Sequence, residues 1–104
     1  MSEQEQHFQE LVLSVAEAEL GKMFGKSCGK INKKAFVAFF QEEMVFKIGR
    51  EQVDLYLQKY VGSKRWDPSG KNRGMKDWLQ VPAEYQSDWK TLTTEAVQFF
   101  EANS

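Results

Sequence analysis

The chain has 104 residues, 41% of them hydrophobic, 13% aromatic and 28% charged, and a net charge of −1. That balance excludes a disordered, charge-rich tail and describes a single folded domain, long enough to bury roughly 60–70% of the surface its unfolded form exposes. Its longest apolar run, Ala35-Phe36-Val37-Ala38-Phe39-Phe40, has six residues, far below the roughly 20 that a membrane-crossing helix needs.

In chain order, Phe8, Leu11, Val12, Val15 and Ala18 recur at three-and-four spacing and predict an amphipathic helix over residues 5–20, ended by Gly21. The period then falls to two. Residues 22–26 and 27–31 read as one extended stretch approaching a turn at Asn32-Lys33. Residues 34–40 form the next strand, and 44–48 follow the polar Gln41-Glu42-Glu43. A second helix is expected over 50–60, with Val53, Leu57 and Tyr60 on one face and Gly62 past its end. Two further strands, 64–67 and 77–81, flank a polar loop, and Pro82 ends the second because it has no amide to donate to a ladder. A third helix begins near Ala83, where Tyr85, Trp89, Leu92, Ala96 and Phe99 repeat at helical steps.

The expected fold is therefore α+β and two-layered, with an antiparallel five-stranded sheet in the order helix, three strands, helix, two strands, helix. Links between the early strands are too short for the crossover a parallel pair requires. Along residues 34–40, simple alternation puts Phe36, Ala38 and Phe40 on one face and Ala35, Val37 and Phe39 on the other. Both faces are apolar, whereas a sheet with one wet face alternates apolar and polar. Two explanations stand: helices cover both sides locally, or a second copy covers one, with Val37 and Phe39 as the possible dimer face.

Two indoles, Trp66 and Trp78, bracket the polar loop, and residues 64–77 carry five cations, Lys64, Arg65, Lys71, Arg73 and Lys76, against the two anions Asp67 and Asp77. Such a patch recruits phosphate, nucleic acid or acidic partners, and an exposed indole offers a stacking surface for a base. The bland alternative is a solvated loop with both tryptophans in the core. A pI near 5.8 weighs against a nucleic-acid binder, which is usually basic throughout. A second basic group, Lys22, Lys26, Lys30, Lys33 and Lys34, faces an opening stretch that holds Glu3, Glu5, Glu10, Glu17 and Glu19 with no Lys or Arg before residue 21. Local cancellation of the two is expected.

Reaction chemistry is sparse. Gly25-Lys26-Ser27-Cys28-Gly29-Lys30 lacks the spacing and the following Ser or Thr of a phosphate-cradling loop, and Gly70-Lys71-Asn72 lacks its first glycine. His7 is the only histidine and sits in the opening turns of the first helix. Cys28 is the only cysteine, so no internal disulfide forms. One His and one Cys do not make a metal site, and Cys28 is a nucleophile only if a base or a helix N-terminus lowers its pKa. Glu42-Glu43 lies in a hairpin turn, open to water. No catalytic residue, cofactor, metal or small-molecule substrate is expected. A polar, acidic start at Ser2-Glu3-Gln4-Glu5-Gln6, unlike a secretory leader, and the unpaired cysteine suit a cytoplasmic location.

Met23-Phe24-Gly25, Gly29, Lys33-Lys34-Ala35-Phe36, Met44-Val45-Phe46-Lys47 and the run from Arg73 through Trp78 to Val81-Pro82 resemble the N-terminal domain of the TfoX/Sxy proteins, most strongly over residues 16–100. The resemblance implies a two-layer fold of the order above, a bacterial source, and a stand-alone domain. TfoX itself regulates natural competence and carries a second, C-terminal domain for which this sequence shows no counterpart. The YjbR-like proteins, proposed to bind DNA, are a weaker second likeness. The expectation is a non-enzymatic regulatory or protein-interaction module, with a protein partner or itself as partner. The alternative is a nucleic-acid-binding protein using the basic loop 64–76.

Overall fold

A computed structural model of the chain describes residues 2–23, 25–68 and 74–103. The elements run α1 (Glu3–Leu13), β1 (Ala18–Met23), β2 (Lys26–Ile31), β3 (Lys34–Phe40), β4 (Glu43–Lys47), α2 (Arg50–Lys59), β5 (Lys64–Trp66), β6 (Met75–Val81), a 3₁₀ segment (Ala83–Asp88) and α3 (Trp89–Ala102). The six strands make one sheet in the order β1-β2-β3-β4-β6-β5, every neighbouring pair antiparallel. The α+β class and antiparallel sheet agree with the sequence. The sheet has six strands rather than five, with four before α2 rather than three.

The extra strand comes from where the first helix stops. Ser2 caps it, its hydroxyl accepting from the Glu5 amide at 3.1 Å, and Phe8, Leu11 and Val12 are its buried face. The helix ends at Leu13, not Leu20. Ser14 turns its hydroxyl back onto the Leu11 carbonyl at 2.7 Å, a local bond that competes with helix continuation, and Glu17 takes a left-handed φ of 69°. Residues 18–23 then pair with β2 over their whole length, Ala18 opposite Ile31 and Met23 opposite Lys26. Gly25, at φ 74°, stands in the reversal between these strands, where a side chain would be strained. The single stretch expected over 22–31 is thus a hairpin.

The next two connections are two-residue turns with positive φ at both central positions: Asn32 and Lys33 at 51° and 68°, Gln41 and Glu42 at 53° and 63°. This is the twist that matches antiparallel strands. At the end of the chain, the single helix expected from Ala83 is divided, and its first six residues form the 3₁₀ segment.

A bulge decides the faces of β3. Gly29 pairs with Val37 and Lys30 with Ala35, so Phe36 is an additional residue on β3 and the strict alternation fails there. Phe36, Val37 and Phe39 all enter the helix-side core, with Phe8, Leu11 and Val12 of α1, Val53 of α2 and Trp89, Leu92 and Ala96 of α3. Ala38, with Ala35 and Phe40 partly buried, belongs to a smaller cluster built only from strand residues: Cys28, Val45, Trp66 and Trp78, flanked by Met23 and Met75. All three α-helices therefore cover one face of the sheet. α1 sits close enough to β2 that a Cβ on Gly29 would lie 2.9 Å from methyls of both Val12 and Val37.

Candidate interaction surface

Of the residues expected to form a basic surface, Lys64, Arg65 and Lys76 lie among the described residues. Lys64 and Lys76 are exposed. Arg65 stands beside Leu79 in the ladder, on the helix side, and forms a salt bridge with Asp54 of α2. Lys64 stands opposite Gln80 and faces the other way. Lys71 and Arg73 lie outside the described residues, as does the Gly70-Lys71-Asn72 motif. Trp66 is 0% and Trp78 7% exposed, their rings 5.2 Å apart at 54°, so neither indole has a free face for a base. Lys26 lies over the Phe40 ring at 5.3 Å and Lys47 over Trp78 at 6.0 Å. Their stems roof the outer cluster, and their ammonium groups stay in water.

Val37 and Phe39, the possible dimer face, are buried within the chain. Phe39 packs at 5.4 Å, tilted, on Phe8 of α1, and the bulge adds Phe36 to the face that Val37 and Phe39 share with Phe46 and Met44 of β4. Of the two explanations for that apolar face, cover by the chain's own helices accounts for Val37 and Phe39.

Cys28 is fully buried in the outer cluster. Burial pushes its thiol pKa up, while the charges of Lys30 and Lys22 pull it down less strongly, so the lysines do not produce a reactive thiolate. His7 is better anchored than a frayed helix start suggests: its ring stacks at 5.7 Å on the buried Trp89, and Nε2 lies 3.3 Å from the Gln86 carbonyl. Among the described residues no three His, Cys, Asp or Glu side chains converge to hold a metal ion. No helix there is long and apolar enough to cross a membrane.

A second polar cluster joins α2 to the C-terminal segment. Tyr56 donates to Glu95 Oε1 at 2.7 Å. That bond, reinforced by burial and the nearby carboxylate, pushes its pKa up to about 12. Tyr60 rises to about 12 by burial and by its bond to Asp88. Tyr85 packs edge-on to Tyr60 at 5.0 Å and donates to the Val61 carbonyl at 3.1 Å. These bonds stabilise neutral phenols, which suits a structural clasp rather than acid–base work near neutrality.

What remains open is an edge. β5, at one side of the sheet, has three residues; β1, at the other, has six and only β2 beside it. The outer backbone groups of β1 form a row that can pair with another strand. Leu20, in its middle, is 41% exposed, and Leu13, the last residue of α1, is 64% exposed. Between Leu20 and α1 lies a shallow depression of about 230 Å³ lined by Phe8, Gln9, Leu20, Gly21, Lys22 and Ser27. Sequence periodicity missed this edge because residues 18–20 extend the helical spacing of Phe8, Leu11, Val12 and Val15.

The chain matches no protein-family model, no curated protein and no solved structure.

Proposed function

We propose that the chain is a non-catalytic protein-interaction module, regulatory in the sense that its resemblance to the TfoX/Sxy N-terminal domain implies, and that it makes contact through the β1 edge. The observation that carries this reading is the six-residue edge strand, paired with β2 on one side only, with an exposed leucine at its centre. Strand addition of this kind obtains affinity from backbone hydrogen bonds and selectivity from pockets beside the edge, and the depression next to Leu20 lies where a side chain of an added strand would reach. The helix-side core and the outer cluster are already closed by the chain's own residues, which leaves the edge as the surface where new backbone bonds can form.

The nucleic-acid reading retains Lys64 and Lys76 as exposed cations and loses the two indoles and Arg65. Lys71 and Arg73, which also belong to that reading, lie outside the described residues, and each phosphate contact would add about −0.9 to the log–log salt slope.

The test is comparative capture. Wild-type chain, a Leu20→Lys variant and a Lys64→Ala/Lys76→Ala variant are immobilised and exposed to extract from the source cell. A partner retained by wild type and by the double lysine variant, and lost with Leu20→Lys, supports the edge. Retention unaffected by Leu20→Lys sinks it.

A further inference from the structure

We propose that the strand added to β1 is β1 of a second copy, paired antiparallel about a two-fold axis through Leu20 and normal to the sheet. This rests on the reading of β1 as the contact edge and names its occupant.

The argument begins with symmetry. Two identical edges meeting about an axis normal to the sheet run antiparallel and keep their helix layers on the same side, so opposed residues must belong to the same face. With Leu20 at the centre, Leu20 meets Leu20, Glu19 meets Gly21 and Ala18 meets Lys22. The two half-exposed leucines then cover each other on the helix side, the largest apolar gain any register of this strand offers.

The outer face supplies charge complementarity. Lys30 pairs with Glu19 across β1 and β2, yet its side chain lies along the strand over Gly21, where a Cβ would come within 3.1 Å of Lys30 Cδ and Cε. Among the described residues Lys30 forms no ion pair, the salt bridge there being that of Arg65 with Asp54. In the Leu20-centred register, Glu19 of each copy stands opposite the partner's Gly21, a position with no side chain of its own and with the partner's Lys30 stem across it. Each dimer thus gains two Glu19–Lys30 pairs. Charges on a strand edge ordinarily guard it against pairing. Here the acid stands at position 19 of β1 and the base reaches from β2 over position 21, so antiparallel self-pairing sets unlike charges together.

Sedimentation equilibrium from low to several hundred micromolar is expected to show a monomer–dimer equilibrium. Leu20→Lys, at a half-exposed position, is expected to leave far-UV circular dichroism and melting unchanged and to abolish the dimer. Glu19→Lys and Lys30→Glu should each weaken it on the order of tenfold, and an equimolar mixture of the two should restore it, because both cross pairs become attractive. Leu20→Cys should form an intermolecular disulfide under mild oxidation, since directly opposed strand residues sit about 4.5–5.5 Å apart at Cα, within disulfide reach; Cys28, fully buried, does not compete. A monomer at several hundred micromolar, a dimer indifferent to Leu20→Lys, or a failure of both the mixture and the cysteine link overturns the proposal. A monomer that still captures an unlike partner in a Leu20-dependent way removes the second copy and leaves the edge reading standing.

Discussion

Each face of the one sheet shields a cluster from water, by different means. On the helix side, residues from α1, α2 and α3 interlock with five of the six strands. On the outer side no helix lies among the described residues, and two tryptophans, a cysteine and short aliphatic residues are roofed by Met23, Phe40, Met75 and the stems of Lys26 and Lys47. Burial on the outer side is thus achieved by long side chains and by ring-on-ring contact, without a second layer of secondary structure. The comparison shows why an apolar sheet face does not by itself announce a partner. In this molecule the unfilled valence is the strand edge, where backbone groups rather than side chains await pairing.

If the outer cluster is a true second core, removing its centre should cost as much as removing the centre of the first. Trp66→Ala and Trp89→Ala, both at fully buried indoles, are each expected to lose about 3–5 kcal/mol in urea unfolding. A loss for Trp66→Ala near the roughly 0.5 kcal/mol of a surface change would show the outer cluster to be a lid rather than a core.

The faces should also part company in alkali. All three tyrosines sit among α2 and the segment before α3 on the helix side, and two have pKa values raised to about 12. The folded chain holds those protons when the unfolded chain has lost them. Their contribution is therefore complete below pH 10 and disappears between pH 10 and 12, on the order of 2 kcal/mol for the nearly buried Tyr60. Tyr60→Phe should flatten the fall in stability over that window, measured by denaturant unfolding at stepped pH. An unchanged slope would remove the phenol bonds from the account.

Gly29 separates the faces more finely, since its helix side touches both Val12 and Val37. Gly29→Ala should destabilise by about 1–3 kcal/mol through overpacking, whereas Ala38→Gly, on the outer side, should lose less. Lys33→Gly should raise stability by about 1 kcal/mol by relieving a left-handed backbone at φ 68°. Smallest is Lys47→Ala, about 0.5–1 kcal/mol if the cation over Trp78 contributes to the roof; thermal melts at low and high salt give the measure.

Much of the fold was legible from periodicity. The turn at Asn32-Lys33, the strand over 34–40, the helix from Arg50 and the two strands flanking the polar loop all follow from local pattern and punctuation, and Pro82 stops β6 as its missing amide requires. Residues 18–20 misled because their spacing suits a helix as well as a strand, and pairing with β2 is a distant contact that no local window reports. The directions of Lys64 and Arg65 were likewise not legible from their order alone. Lys64 and Arg65 are adjacent in sequence, and a strand sends adjacent residues to opposite faces.

Alone, the amino-acid sequence determined the class of fold, the antiparallel sheet and the apolar stripes that the second and third helices bury, because these depend on composition and on spacing over a few residues. Tertiary structure decided three other things: that the chain leaves its first helix early enough to build β1, that a bulge brings Phe36 onto the helix side beside Val37 and Phe39, and that the long open edge lies at β1. Each depends on which strand lies beside which. That is settled by hydrogen bonds and packing between segments far apart in the chain, where local periodicity has no reach.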